Sequence, residues 1–305
     1  MNEATRPNST RLAVLVPFGL VTLIWGSTWI VIADQLGVVP PTWSVTYRFL
    51  LAGLTMAAWA AIKREAFWLS PQGFLFAAAL GLFQFVLNFN FVYRAEAHVT
   101  SGLVAVVFAL LLVPNAILGR VFLGQRLGRQ LVLGSVVAVI GIALLFVHEI
   151  RRDPSATDEV LLGIGLTLVG VMCASCANVM QASETARRFP MNATIGWAML
   201  IGAGADGVFA FATSGPPVIE WRIGYLAGVA YLGIVASAIA FTLYFGVIRI
   251  IGPAKAAYSS VLIPLLAMLI STLFEGYRWS LLAGAGALLA GVGLVIALRA
   301  RRPNR

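Results

Sequence analysis

Charge is what this chain has least of. Only 11% of its 305 residues are Asp, Glu, Lys or Arg, while 60% are apolar and the mean hydropathy is +0.92. An ordinary soluble domain carries about 25% charged residues. A soluble fold of this size would leave much of its apolar surface in water, which excludes soluble enzymes, nucleic-acid-binding domains and disordered chains. Acids are scarcer than bases, 12 against 21, so the net charge of +9 matters for where it is placed rather than as a sign of an acidic partner. The two cysteines, Cys173 and Cys176, share one apolar run and form no disulfide framework. The two histidines, His98 and His148, both fall at helix ends. What remains is an integral membrane protein whose solvent is the lipid bilayer. No cofactor, metal or nucleic acid is expected.

A helix crossing the hydrocarbon core needs about 20 mostly apolar residues. Uncharged runs of that kind cover residues 12–33, 66–93, 99–119, 130–148, 160–183, 223–248, 256–274 and 279–298. Two more, 42–62 and 193–213, are each broken by one charge, Arg48 and Asp206. The fold class expected is therefore an all-α membrane protein of ten transmembrane helices. The first run is too long for a signal-peptide core and no small-residue cleavage site follows it. With the N-terminus inside, fifteen Lys and Arg fall on the cytoplasmic side and five outside, leaving Arg48 within a span. Basic residues are retained on the cytoplasmic side, so both termini are expected in the cytoplasm of a bacterial cell, with the chain in its inner membrane.

A shift of 150 residues superposes Gly102 on Gly252, Leu112 on Leu262, Pro114 on Pro264, Gly134 on Gly284 and Gly141 on Gly291. Each half, 1–150 and 151–305, then holds five spans. Five is odd, so the halves enter the membrane from opposite sides. Such an inverted repeat allows a central site to open alternately to either face.

Ten spans in a 5+5 repeat, with Ile24-Trp25-Gly26-Ser27, Tyr47-Arg48-Phe49-Leu50-Leu51-Ala52, the segment from Ser101-Gly102-Leu103 through Pro114 to Phe122-Leu123-Gly124-Gln125-Arg126-Leu127, and Gly252-Pro253-Ala254-Lys255-Ala256-Ala257, resemble the drug/metabolite transporter superfamily and, within it, the EamA-type bacterial permeases. Gln125 stands where that family usually carries Glu, which Glu275 keeps in the second half; Cys173 stands where the second half often has Trp. The resemblance implies an exporter of amino acids, drugs or other metabolites, with a small-molecule substrate that it does not identify. The sequence is compatible with a monomer and with an oligomer.

Polar side chains near the bilayer midplane are costly and therefore informative. Gln84 and Asn88 share one helix face, with Asn90 nearby; Ser175, Asn178 and Gln181 follow helical spacing in the sixth span. Each alone is as well explained by interhelical hydrogen bonding, but two facing sets point to a polar cavity. Trp25, Phe91, Tyr93, Tyr244 and Tyr258 are candidate aromatic walls, Arg48 a candidate substrate ligand, and Pro114 and Pro264 candidate helix bends. Gly134, Ala138 and Gly141, with Gly284, Ala287 and Gly291, form small-residue stripes that allow close packing of the fifth and tenth helices. The glycine-rich segment from Gly202 to Gly207 has the spacing of a dinucleotide loop but lies mid-span with no strand before it, and the Cys173–Cys176 pair lacks a second ligand pair for a metal.

Arg48 and Asp206 carry opposite charges at similar depths, roughly 9–10 Å below the outer helix ends at 1.5 Å per residue. An ion pair between them, bracing or closing the outer side, is expected; the rival reading has Arg48 holding a substrate carboxylate. The first span contains no carboxylate, so Asp206 is the one acid expected within a span for proton coupling. A lipid-processing enzyme would need a cluster of acids or histidines, and a channel would need a filter or charge ring. Neither pattern is present, so the chain is expected to have no catalytic residues.

Overall fold

The computed structural model describes residues 6–125, 129–152, 157–256 and 259–298. Each apolar run becomes a helix where described: α1 (Arg6–Asp34), α2 (Pro41–Lys63), α3 (Pro71–Glu96), α4 (Ser101–Leu123), α5 (Arg129–Arg152), α6 (Thr157–Ala182), α7 (Met191–Ser214), α8 (Ile223–Ile250), α9 (Ser259–Phe274) and α10 (Leu281–Leu298). No strand occurs among the described residues. Seven of these helices, α1–α4 and α6–α8, are long and apolar enough to cross a membrane; the apolar parts of α5 and α10, Val132–Leu144 and Leu281–Gly293, are shorter. Backbone hydrogen bonds made within each helix are what hydrocarbon demands.

Local chemistry sets the ends. The third run begins at residue 66, yet α3 starts only at Pro71, because Pro is preorganised for the first helical position and Ser70 caps the turn by accepting the Gly73 N–H at 3.2 Å. The residues ahead of it stay extended and build an aromatic cluster: Trp197 donates its indole N–H to the Phe67 carbonyl at 2.8 Å and packs against Phe67, Trp68 and Phe74. This is the amphipathic clustering characteristic of a membrane–water interface. Gly124 ends α4 at φ 65°, a conformation glycine adopts without a Cβ penalty.

The helices pack in pairs related across the two halves. α2 lies on α7 and α5 on α10, while α1 packs on α9 as α6 packs on α4, and α3 packs on α7 as α8 packs on α2. At the α5–α10 crossing, a Cβ on Gly141 would lie 2.3 Å from the Ala290 nitrogen, and one on Gly293 would lie 2.3 Å from that of Ala138. The reciprocal contacts with the Gly286 and Gly134 carbonyls are both 2.6 Å. The helices are therefore antiparallel and matched by a shift of 152 residues, pairing Gly134 with Gly286, Ala138 with Ala290 and Gly141 with Gly293. This corrects the stripe expected in α10: nothing lies within 4 Å of a Cβ on Gly284 or Gly291.

The 152-residue shift recurs in α3 and α8. Both contain π-helical segments, Leu82–Leu87 and Tyr231–Ile239, whose ends coincide under it. A Cβ on Gly81 would meet the Ala198 carbonyl at 2.4 Å, and one on its counterpart Gly233 would meet the Arg48 carbonyl at 3.0 Å. Arg48 of α2 and Ala198 of α7 thus occupy equivalent places in the two halves. In α4 the backbone tightens to a 3-10 turn over Ala109–Leu111, just before Pro114. Pro264 lies inside α9.

Candidate functional site

A cavity of about 90 Å³ lies between the halves, walled by α1–α4 from the first and α6, α8 and α9 from the second. Its wall is largely aromatic. Trp25 donates its indole N–H to the Ala236 carbonyl, in the π segment of α8, at 3.0 Å. Its ring packs against Tyr244 at 4.8 Å and Phe241 at 5.1 Å between centroids. Those two rings stand on one face of α8, three residues apart. Trp29, one turn beyond Trp25, also lines the cavity.

Arg48 is the charged group in this wall and is 1% exposed. Its Nε donates to the Ser237 hydroxyl at 2.9 Å, and its guanidinium lies over the Phe89 ring at 4.3 Å and that of Phe49 at 5.3 Å. Cation–π contact of this kind offsets part of the cost of burial. Its Nη1 has no partner among the described residues. Gln84 and Asn88 add unfilled acceptors: Asn88 Nδ2 donates to the Gln84 carbonyl at 3.3 Å, while Gln84 Oε1 and Asn88 Oδ1 accept nothing. Asn178 lines the opposite wall and donates to Asn115 Oδ1 at 3.4 Å.

The structure thus brings together Trp25, Arg48, Gln84, Asn88, Asn178, Tyr244 and Pro264. The remaining candidates lie elsewhere. Tyr93 stands behind Arg48 and donates to Gln35 Oε1 at 3.1 Å. Gln181 lies toward the other end of α6, where its Oε1 accepts from Arg249 Nη2 at 3.2 Å; the same Nη2 reaches the Ala186 carbonyl at 3.0 Å. Gln181 therefore braces α6, α8 and the single turn Glu184–Arg187. Phe91 packs beside Gly170 of α6, Pro114 is not part of the wall, and Tyr258 lies outside the described residues.

The expected Arg48–Asp206 ion pair is not formed. Asp206 is fully buried and accepts from Asn90 Nδ2 at 2.7 Å, while Thr42 donates to Asn90 Oδ1 at 2.8 Å. The reason is rotational. Thr42, Thr46 and Gly53 lie along one face of α2, and Thr46 and Gly53 pack on α7; at 100° per residue Arg48 lies some 200° around the helix from Thr46 and faces α8. Equal depth did not mean equal azimuth. Sequence reasoning also missed Trp29, Phe89, Phe241 and Ser237. The first three follow helical spacing from Trp25, from Phe85 and from Tyr244, but Ser237 carried no signal of its own.

Exposed polar contacts join elements beyond the cavity. Arg222, just before α8, bridges Asp34 at the end of α1 (3.0 Å) and Glu220 (2.7 Å), and these carboxylates raise its pKa. His98, between α3 and α4, pairs with Glu159 at the start of α6. Among the described residues no group of three or more His, Cys, Asp or Glu is arranged to hold a metal.

The model of the EamA-like transporter family matches this chain twice, over residues 15–147 and again over 161–299. The chain belongs to the EamA-like transporter family. It is similar to the protein PagO of Salmonella typhimurium, 23% identical over 95% of this chain and 94% of that protein. It is also similar to the uncharacterized inner membrane transporter YedA of Escherichia coli K12, 28% identical over 82% of this chain and 79% of YedA. An uncharacterized transporter of Archaeoglobus fulgidus is 21% identical over 93% of the chain and 99% of its own length. A solved crystal structure shares the fold at a TM-score of 0.70 and 21% identity, covering 95% of this chain and 99% of that one. The EamA-like chain is a multi-pass membrane protein of the transporter class, not an enzyme.

Proposed function

We propose that this EamA-like protein is a secondary transporter that exports a small amphipathic metabolite bearing a carboxylate, such as an amino acid or a related compound, by alternating access across a bacterial plasma membrane. The observation that carries this reading is Arg48: a buried cation in an aromatic wall with one donor, Nη1, left without a partner. A buried charge lacking a counter-ion is expensive, and a ligand carboxylate would complete it with a charge-assisted hydrogen bond. The rings beside it suit an apolar body, and the free acceptors of Gln84 and Asn88 suit an ammonium or hydroxyl group.

A cavity of about 90 Å³ has room for a few waters, whereas ligand pockets commonly measure about 300–1,000 Å³. The halves must part to admit a metabolite. The pairing of equivalent helices across the two halves supports rocking of one five-helix repeat on the other, with ten spans and both termini cytoplasmic. The antiparallel α5–α10 contact suits two repeats of opposite orientation.

Metabolite profiles of deletion and overexpression cells nominate the substrate, and saturable flux of that compound into proteoliposomes tests the reading. We expect Arg48→Gln to lower kcat/KM about 100-fold, the scale of losing a buried charge contact. Unsaturable flux, or flux indifferent to Arg48→Gln, rejects it. Reporter fusions after Arg64 or Arg188 are expected in the cytoplasm, and fusions within residues 151–159 on the opposite side.

A further inference from the structure

Glu96, the last residue of α3, was placed in an outer loop by its position after the third apolar run, and nothing so far has used it. It is 8% exposed, and neither carboxylate oxygen has a hydrogen-bond donor among the described residues. Its charged neighbours are Glu275, which follows α9, and Arg48 of α2; Tyr93, one turn back on α3, also faces it. Glu275 is already engaged, accepting the Ser101 hydroxyl at 2.7 Å. The other charged groups of this end are tied elsewhere: Glu159 to His98, Asp34 to Arg222, and Arg94 stands toward Asp206.

An ionised carboxylate cannot be left buried without donors or a counter-ion except at great cost. Two changes relieve that cost. Glu96 can hold a proton, as the absence of any donor to it indicates for this conformation, or it can ionise and draw in the free Nη1 of Arg48. The second removes from the cavity the donor that a substrate carboxylate would use.

From this geometry we infer that Glu96 is the proton-binding group of the transporter and that it competes with the substrate carboxylate for Arg48. With Glu96 protonated, Arg48 is free to bind substrate. When substrate leaves, the proton departs to water, and the Glu96 carboxylate takes the vacated guanidinium. Proton and substrate anion are thereby bound together. Asp206 cannot serve in the same way, because it faces α3 from the other side of α2 and is held by Asn90. The competition rests on the role given to Arg48 above; the proton on Glu96 does not.

The test is infrared spectroscopy of the purified full-length protein in lipid nanodiscs, without substrate, titrated with pH. At neutral pH the expected spectrum contains a protonated-carboxyl C=O band that Glu96→Gln abolishes and Glu275→Gln and Asp206→Asn leave in place. Arg48→Gln is expected to move the disappearance of that band about one pH unit or more higher, since it removes the cation that favours ionisation; Glu275→Gln moves it lower by removing a like charge. If Arg48→Gln does not fold, the Glu275→Gln shift is decisive alone. Absence of any band that Glu96→Gln removes overturns the proton site, whatever the transport assay finds. A Glu96 band whose titration ignores Arg48→Gln and Glu275→Gln overturns the competition. Failure of the Arg48 reading itself appears separately, as substrate flux indifferent to Arg48→Gln.

Discussion

The α5–α10 contact and the cavity wall obey the repeat differently. At the crossing of α5 and α10 the two halves present the same residues, Gly134, Ala138 and Gly141 against Gly286, Ala290 and Gly293, and each glycine meets the backbone of the partner helix. At the cavity the backbone is still matched, with Gly81 and Gly233 making the same approach, but the side chains part company. Arg48 stands where the other half has Ala198, and under the 152-residue shift of α3 onto α8, Asn88 stands where the other half has Ala240. Scaffolding between duplicated halves needs identical shapes. A site for one asymmetric molecule needs different chemistry from each side.

The sharpest way to break this comparison is to fill the scaffold. Gly141→Leu is expected to remove the folded protein from detergent extracts, and Gly141→Ala to cost about 1–3 kcal/mol by overpacking. Gly291→Ala, with open space around it, is expected to leave thermal unfolding unchanged; the reverse order would restore the 150-residue register. Next in size is the polar chain on the far face of α2. A double-mutant cycle of Asn90→Ala with Asp206→Asn is expected to show a coupling of about 0.5–3 kcal/mol in thermal unfolding, while Arg48→Gln and Asp206→Asn are expected to add, because they share no partner. Ser237→Ala removes the acceptor that orients Arg48 Nε and is expected to lower substrate affinity about tenfold, in line with hydrogen bonds to charged groups. An unchanged affinity would show that the aromatic rings alone position the guanidinium. The smallest effect is at the exposed Asp34–Arg222 bridge, where Asp34→Asn is expected to leave melting unchanged at physiological salt.

The course of the chain was largely legible because a bilayer leaves few choices. Long apolar runs must be helices, and every described run is one. The starts of α3 and α4 shift inward because Ser70-Pro71 and Thr100-Ser101 set the first turns locally, which hydropathy alone does not register. The cavity was legible in part. Trp25, Gln84, Asn88, Asn178 and Tyr244 stood out as polar or amphipathic groups at helical spacing inside apolar runs. Gln181 shares that pattern yet serves Arg249, which the sequence placed only as a loop charge.

Composition and spacing by themselves determined that this is a helical membrane protein with a duplicated plan, since apolar length and charge placement are properties of the chain read in one dimension. Tertiary structure decided which residues meet. Depth along a helix can be counted from sequence, but azimuth depends on how each helix is rotated against its neighbours. The π segments of α3 and α8 add turns that no heptad or 3.6-residue count includes. That rotation placed Arg48 toward Ser237 and the rings rather than Asp206. It also brought Glu96, an ordinary loop acid by its position, beside the buried arginine.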